Sequence, residues 1–384
     1  MKREKKAKQD HGTVFSTLCM VLFGAALGIF AGKDLFEIVE GVSFGEYLLH
    51  VAWLIVMMTA AFYLQTILHE GGHLVCGLLT GYRFVSFRIG SWMVQRENGR
   101  LRFHRYTLAG TAGQCLLAPL ELTEGKMPYK LYNLGGVLAN LLAAALAGAL
   151  IAPCRNVWGA RVLFEMLCVV GLGTALTNGI PLRVQGVAND GANARDLGKD
   201  PAALRAFWVQ LSMNARQAEG VPLREMPEEW FALPDGGLDN IMLAPVKVQG
   251  VNKKNAEERA MALLQTVGLA AQCIDALLQG DTAILSLHRK LLLCDRLTCA
   301  LLTGEDAAPW LVRWNSKEMK AFRKQMRSFL SVQRTEYLAA LLAERDAAKA
   351  EVFHRKFEQR AKTYPYAAEA ADERALVELG AQMA

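Results

Sequence analysis

The sequence lacks the cysteine patterns that cross-link secreted domains. Its eight cysteines are scattered, and none of them form a C-x-x-C pair or a short disulfide framework. Reduced thiols in a protein that faces the cytoplasm are therefore expected. An excess of basic residues is also missing from Gly191 onward, where 26 Lys and Arg stand against 25 Asp and Glu. The chain thus shows no nucleic-acid footprint, and no nucleic-acid partner is expected.

Long apolar runs are missing after Gly191 but frequent before it. Hydrophobic residues make up 52% of the chain and the mean hydropathy is +0.16, which is high for a chain with 21% charged residues. A bilayer core needs about 20 mostly apolar helical residues. Four stretches meet or approach this length: Thr13–Gly32, Tyr47–Leu68, Leu131–Cys154 and Val162–Leu182. A cleaved signal peptide is the alternative for the first stretch, although its apolar run exceeds the usual ~7–15 residues.

Basic residues flank alternate sides of these stretches. Five precede the first stretch, one stands against four acidic residues in the loop Lys33–Glu46, and eight lie between the second and third stretches. Cytoplasmic loops carry such an excess of Lys and Arg. The sequence therefore predicts a multi-pass protein of the cell membrane with about four spans and both termini in the cytoplasm.

The predicted architecture is mainly α, a polytopic membrane helix bundle with a β-hairpin insertion and a helical soluble cytoplasmic domain. Three domains are predicted: a basic cytoplasmic N-terminus (1–12), a transmembrane domain (13–191) and the cytoplasmic domain (192–384). Helical patterns in the last domain cover Ala194–Gln217, Asn255–Gly304 and Lys317–Leu379, with a break near Pro365. The intervening Glu219–Asn252 is rich in Pro and Gly and reads as a linker.

The insertion lies between the second and third spans. Asn98-Gly99 separates the alternating run Arg83–Val94 from the run Leu101–Thr107, which is typical of a hairpin. The following stretch Tyr106–Leu120 has no charge, but its glycines and Pro119 make it too short and too broken for a span. A re-entrant or interfacial segment is predicted there.

The second span runs into the sequence HEGGH. His69 and His73 are four positions apart, so they share one helix face and can bind one zinc ion, while Glu70 can accept the proton of an attacking water. This is the metallopeptidase interpretation of H-E-x-x-H. Three ionisable residues within a membrane helix favour a functional role. Gly71 and Gly72 indicate close approach of another helix or a ligand.

Two histidines leave the site one ligand short, and Glu97 in the hairpin is one candidate. Three motifs follow in order: HEGGH, the segment Gly135–Asn140, and an Asn178-x-x-Pro181 segment with Asp190-Gly191 behind it. This order resembles the site-2 protease family of intramembrane zinc metalloproteases, over roughly Tyr47 to Asp196. The chain departs from the family by Asn189 before Asp190, by the long gap after Asn178, and by the lack of Pro in the middle motif.

The resemblance implies Zn²⁺ held by His69, His73 and Asp190, with Glu70 as the catalytic base. It also implies that Asn140 and Asn178 position the substrate or stabilise an oxyanion. Pro181 ends the regular fourth span, and the stretch Arg183–Asn189 can then fold back to bring Asp190 to the depth of the histidines.

The expected partner is a membrane protein substrate, with a cytoplasmic regulator or adaptor for the C-terminal domain. In the family the hairpin pairs with an extended substrate, so Phe84–Ile89 could offer a strand edge; an amphipathic hairpin on the membrane is the alternative. His104 is expected to be interfacial. Competing functions are a catalytically inactive scaffold or chaperone of the same fold, a transporter with a polar site, and a membrane-anchored soluble peptidase that uses Glu97.

Overall fold

The structure is a computed structural model that describes residues 14, 17–18, 21–26, 28–29, 32–33, 42–97, 99–107, 111–184, 187–222, 225–230 and 286–384. It is mainly helical, with one small four-stranded sheet. The chain divides into two compact units. The first comprises Met1–Arg83, Gly113–Cys115 and Thr123–Pro201, and the second comprises Phe84–Ala112, Leu116–Leu122 and Ala202–Ala384.

Three helices of the first unit are long and apolar enough to cross a membrane. They are α1 (Phe44–Leu79, 36 residues), α2 (Lys130–Ile151, 22 residues) and α3 (Trp158–Gly179, 22 residues). Many of their large apolar side chains are exposed, among them Leu49, Phe62 and Leu142. Continuous exposed apolar surface of this kind indicates a membrane protein.

The three helices coincide with the second, third and fourth predicted spans. The first predicted span, Thr13–Gly32, lies partly outside the described residues and stays a prediction. Its described positions are helical, and Phe23 packs beside a core formed by Leu54, Ala61, Val162, Met166 and Val170.

The helices α1 and α2 approach each other backbone to backbone. A Cβ atom on Gly72 would lie 2.6 Å from the carbonyl carbon of Gly135 and 2.7 Å from Cβ of Ala139, so only glycine fits there. Close packing at small residues is how membrane helices associate. This contact explains Gly72, whereas the Cβ position of Gly71 has no described heavy atom within 4 Å.

The chain reverses after α3. Ile180 caps the helix, and the two-residue strands β5 (Arg183–Val184) and β6 (Val187–Ala188) pair antiparallel before the short helix α4 (Asp190–Asp196). A 3₁₀ turn, Leu197–Lys199, follows.

The sheet has the strand order β3-β2-β1-β4. Its strands are β1 (Arg83–Ile89), β2 (Trp92–Glu97), β3 (Arg100–Arg105) and β4 (Gly113–Ala118). The predicted hairpin is present as β2–β3, with Glu97 opposite Arg100 and Gly99 at a φ of 76°. The run Arg83–Val94 is not one strand, because a turn at Gly90 with a φ of 58° divides it.

Two expectations about the insertion need correction. The segment predicted as re-entrant or interfacial, Tyr106–Leu120, contains the strand β4. The strand β1 lies between β2 and β4, so Phe84–Ile89 is hydrogen-bonded on both sides. It cannot offer a free edge to a substrate; the edge strands are β3 and β4.

The remaining elements belong to the second unit and are helical. They are α5 (Pro201–Ala218), α6 (Ser286–Thr303), α7 (Ala308–Trp314), α8 (Lys317–Gln325), α9 (Leu330–Leu338), α10 (Ala347–Ala361) and α11 (Ala367–Gln382), with a 3₁₀ turn at Glu228–Trp230 and a π-helical turn at Ala339–Ala343. The predicted break near Pro365 is confirmed between α10 and α11. Most of the predicted linker and the first part of Asn255–Gly304 lie outside the described residues, and the predicted boundary after residue 191 stays a prediction.

One apolar core joins the helices α6 to α11. Trp314, Leu330, Leu338 and Phe357 are almost completely buried within it. Arg334 is also fully buried, and its guanidinium donates to Glu373 at 2.5 Å and to Asp295 at 2.6 Å. Two carboxylates thus compensate one buried charge.

Candidate metal centre

Three potential ligand atoms converge in the first unit. Nε2 of His69 lies 3.2 Å from Nε2 of His73, and Oδ2 of Asp190 lies 3.2 Å from the first nitrogen and 3.4 Å from the second. Tetrahedral ligands at about 2.0 Å from a zinc ion are about 3.3 Å apart. The observed triangle therefore has edge lengths that match three corners of a tetrahedral metal site.

The ring of His69 is held in one tautomer by its neighbours. Its Nδ1 lies 2.6 Å from Oδ1 of Asn140, whose amide nitrogen donates to the backbone oxygen of Gln65 at 2.9 Å and to Oε1 of Gln65 at 2.7 Å. Since the amide nitrogen is thereby fixed on the Gln65 side, Oδ1 of Asn140 must accept from Nδ1–H of His69. In the neutral ring, Nε2 then carries a lone pair that points toward Asp190.

The same arrangement holds for His73. Its Nδ1 lies 2.8 Å from the backbone oxygen of Tyr132, which can only accept, so the Nε2 of His73 also presents a lone pair. Oδ2 of Asp190 is buried, and within the described residues it accepts no hydrogen bond. Two lone pairs and a carboxylate oxygen thus meet at one point. A cation at this point would be coordinated by all three atoms, so the donor set fits a metal ion.

Asn189 positions Asp190. Its Oδ1 accepts from the backbone N–H groups of Ala192 and Leu182, which caps α4, and its Nδ2 donates to the carbonyls of Thr177 and Ile180 at 2.7 Å. The start of α4 is thereby fastened to the end of α3. In the segment Arg183–Asn189, for which a fold-back was predicted, the strands β5 and β6 pair antiparallel.

The close approach of the start of α4 to the end of α3 requires a glycine. A Cβ atom on Gly191 would overlap the carbonyl of Gly179 and lie 3.1 Å from the carbonyl oxygen of Asn178. The Asp-Gly pair therefore combines a ligand with the close contact that places it.

Glu70 lies beside the triangle and is not one of its corners. A Cβ atom on Gly113 would lie 2.7 Å from Oε1 of its carboxylate. The side chain of Glu70 thus packs on the start of β4. A carboxylate next to a metal site, yet outside its ligand set, is suited to proton transfer.

Gln65 is a site residue that the sequence interpretation missed. It is fully buried, its Nε2 donates to the carbonyl of Leu167 at 2.8 Å, and it anchors Asn140. The sequence does contain a signal for this residue, which is the lone amide side chain in an apolar span, four positions before His69. A polar side chain in such a span needs a hydrogen-bond partner.

The remaining candidates have other contacts. The side chain of Asn178 donates to the backbone oxygen of Thr174 in its own helix at 3.0 Å. Oε1 of Glu97 lies 2.6 Å from Nε2 of His104, across the β2–β3 hairpin. Among the described residues, the group that could hold a metal consists of His69, His73 and Asp190.

Comparisons of the chain with protein-family models, with curated proteins and with solved structures find no match.

Proposed function

We propose that this chain is a zinc-dependent intramembrane metalloprotease that cleaves a membrane-embedded or membrane-adjacent protein. One observation carries the proposal. Two imidazole lone pairs and one carboxylate oxygen converge at the edge lengths of a tetrahedral zinc site, and the histidines lie on a helix long enough to cross a membrane. The resemblance of the motifs to the site-2 protease family supports the same conclusion.

Each residue has a role in this scheme. His69, His73 and Asp190 would hold the ion, which when bound would supply Lewis acidity toward a carbonyl oxygen and lower the pKa of water. Glu70 accepts a proton at its carboxylate from the attacking water and returns it to the leaving amine nitrogen. The packing of Glu70 on Gly113 keeps this carboxylate at one position beside the ligand triangle.

Asn140 acts in the proposal as a positioning residue. It is fully buried and contacts the side of His69 opposite to Nε2, so it orients the ligand rather than stabilising an oxyanion. Asn178 contributes through its backbone at the end of α3, where its carbonyl oxygen would lie 3.1 Å from a Cβ atom on Gly191, the residue next to Asp190.

The competing functions make less use of these residues. A scaffold or a transporter needs the three ligand atoms, but it does not need an additional carboxylate beside them. Glu70 occupies that place, close to His69, His73 and Asp190. In this proposal the protein also crosses the membrane several times, has both termini in the cytoplasm, and uses its C-terminal unit to bind a regulator or adaptor.

The decisive experiment uses Glu70→Gln, which removes the proton acceptor and keeps every ligand. Membranes that contain the wild type or the variant are incubated, and new protein N-termini are identified by mass spectrometry. We expect new termini in or beside apolar spans with the wild type only, and equal zinc content in both proteins.

Glu46→Gln is the matched control, because it makes the same change in the same helix at the exposed capping box. It should give the wild-type termini. Identical sets of termini from the wild type and Glu70→Gln would refute the protease proposal.

A further inference from the structure

The second unit contains a cavity of about 780 Å³ between α8, α9 and α10. Its lining is strongly basic. Lys320, Arg323 and Lys324 of α8 and Arg327 in the following turn are spaced i, i+3, i+4 and i+7, so they form one helix face. A second basic face lies across from it.

The second face belongs to α10. Lys349, Phe353, Lys356 and Arg360 are spaced i, i+4, i+7 and i+11, and all four line the cavity. Seven basic side chains thus surround one space, and Glu336 of α9 is the acidic residue in the lining. Glu344 pairs with Lys349 at 2.5 Å, which leaves a large positive excess. Like charges brought together in this way repel one another unless an anion binds.

Two of the arginines are held in place by neighbouring groups. Arg360 donates from Nε to the carbonyl of Ser328 at 3.0 Å and from Nη1 to the carbonyl of Arg105 at 3.1 Å. Its guanidinium also lies 5.3 Å from the ring of Tyr106. Arg323 lies over the ring of Trp314 at 4.2 Å, and its Nη1 is 4.0 Å from Oε1 of Glu336.

We propose that this cavity binds a small soluble molecule that carries two or more phosphate groups. Fixed guanidinium groups recognise phosphate oxygens by paired hydrogen bonds, and the lysines supply further charge. A volume of about 780 Å³ is in the range of small-molecule sites, and a concave site favours a compact ligand over an extended surface. Phe353, with Lys356 Nζ 5.4 Å from its ring, gives the organic part of the ligand an apolar wall.

Binding is measured on the full-length protein in neutral detergent, with ATP, AMP and inorganic phosphate as separate probes. The test variant is Lys324→Glu with Lys356→Glu, two exposed positions in the cavity lining. The control is Lys317→Glu with Arg355→Glu, which makes the same charge change on the same two helices outside the lining. Circular dichroism checks that both variants are folded.

We expect ATP to bind more tightly than AMP, and AMP more tightly than phosphate. The cavity variant should bind ATP at least ~10-fold more weakly, and the control should stay within ~2-fold of the wild type. Equal weakening by both variants would show non-specific attraction and overturn the proposal. Failure of ATP to bind would overturn it as well. Binding of a short-chain phosphatidylglycerol in place of ATP would show that the ligand is a lipid headgroup and not a soluble molecule. This result would also overturn the proposal.

Discussion

Nδ1 of His69 lies 2.6 Å from Oδ1 of Asn140, and this contact fixes which nitrogen of the ring faces Asp190. The Asn140 amide is oriented in turn by two oxygens of Gln65, and the Gln65 amide is oriented by the carbonyl of Leu167. A chain of hydrogen bonds therefore determines the direction of one ligand lone pair.

Removal of the Asn140 acceptor should weaken zinc binding. In Asn140→Leu the Nδ1–H group of His69 loses its partner, the ring becomes free to rotate or change tautomer, and affinity should fall about 10- to 100-fold. Asn140→Asp keeps an acceptor and should retain more affinity than Asn140→Leu. Competition with a chromophoric chelator measures both variants.

The control for this prediction is Asn133→Leu. Asn133 is a buried asparagine of the same helix, but its side chain donates to the backbone oxygen of Tyr129 and not to a histidine ring. An equal loss of zinc affinity in Asn133→Leu and Asn140→Leu would mean that helix packing, and not the ring of His69, was disturbed.

Asp190 and Glu97 can be distinguished by metal content. Asp190→Ala removes one of three converging atoms, so zinc should fall from about one ion per chain to below about 0.1. Glu97→Ala removes a carboxylate that is bonded to His104, and zinc content should stay near wild type. Emission spectrometry of the detergent-purified proteins gives the ratio. If Glu97→Ala lost zinc and Asp190→Ala retained it, the third ligand would be Glu97 and not Asp190.

The local part of the site could be predicted from sequence. His69 and His73 share a face because of their spacing alone, and Pro181 signals the end of α3. The position of Asn189 in the turn was visible, but its four hydrogen bonds to α3, Leu182 and α4 were not. Such bonds depend on which carbonyls α3 leaves free after the chain reverses.

The order of the strands in the sheet could not be predicted from the sequence. The alternation in Phe84–Ile89 shows that the segment is a strand, but not that β4 pairs with its second side. The strand β4 itself was missed because Gly113–Ala118 is apolar without alternation, a pattern shared by buried strands and membrane segments. Gln65 was missed because its partners are about 75 and 102 positions away.

The predicted orientation in the membrane can be tested by labelling. With cysteine introduced by Asp34→Cys or Lys362→Cys, a membrane-impermeant maleimide is added to intact cells, and labelled peptides are identified by mass spectrometry. Asp34→Cys should be labelled at once, and Lys362→Cys only after the membrane is permeabilised, because the basic loops stay in the cytoplasm. Labelling of Lys362→Cys on intact cells would disprove the four-span arrangement.

Arg334 should be essential to the second unit. Arg334→Met leaves the buried carboxylate of Glu373 and the partly buried carboxylate of Asp295 without their cation, which should cost about 3–5 kcal/mol of unfolding free energy. Urea-dependent alkylation of Cys294, which is completely buried, reports the unfolding of this region.

Arg374→Met is the comparison for that measurement. Arg374 pairs with Glu358 at 2.9 Å, but its side chain is 35% exposed, so its loss should cost at most about 1 kcal/mol. Equal alkylation midpoints for the two variants would show that burial does not control the strength of these ion pairs.

The hydrogen-bond chain Leu167–Gln65–Asn140–His69 joins α3, α1 and α2. In a chain that is inserted helix by helix, as the proposed multi-pass arrangement implies, the His69 ring would obtain its fixed orientation only when α3 has docked. Asp190 follows that helix in sequence. Under the proposed function, a partly inserted chain would have neither the third ligand nor the fixed ring, so hydrolysis would begin only after assembly is complete and neighbouring membrane proteins would be protected until then.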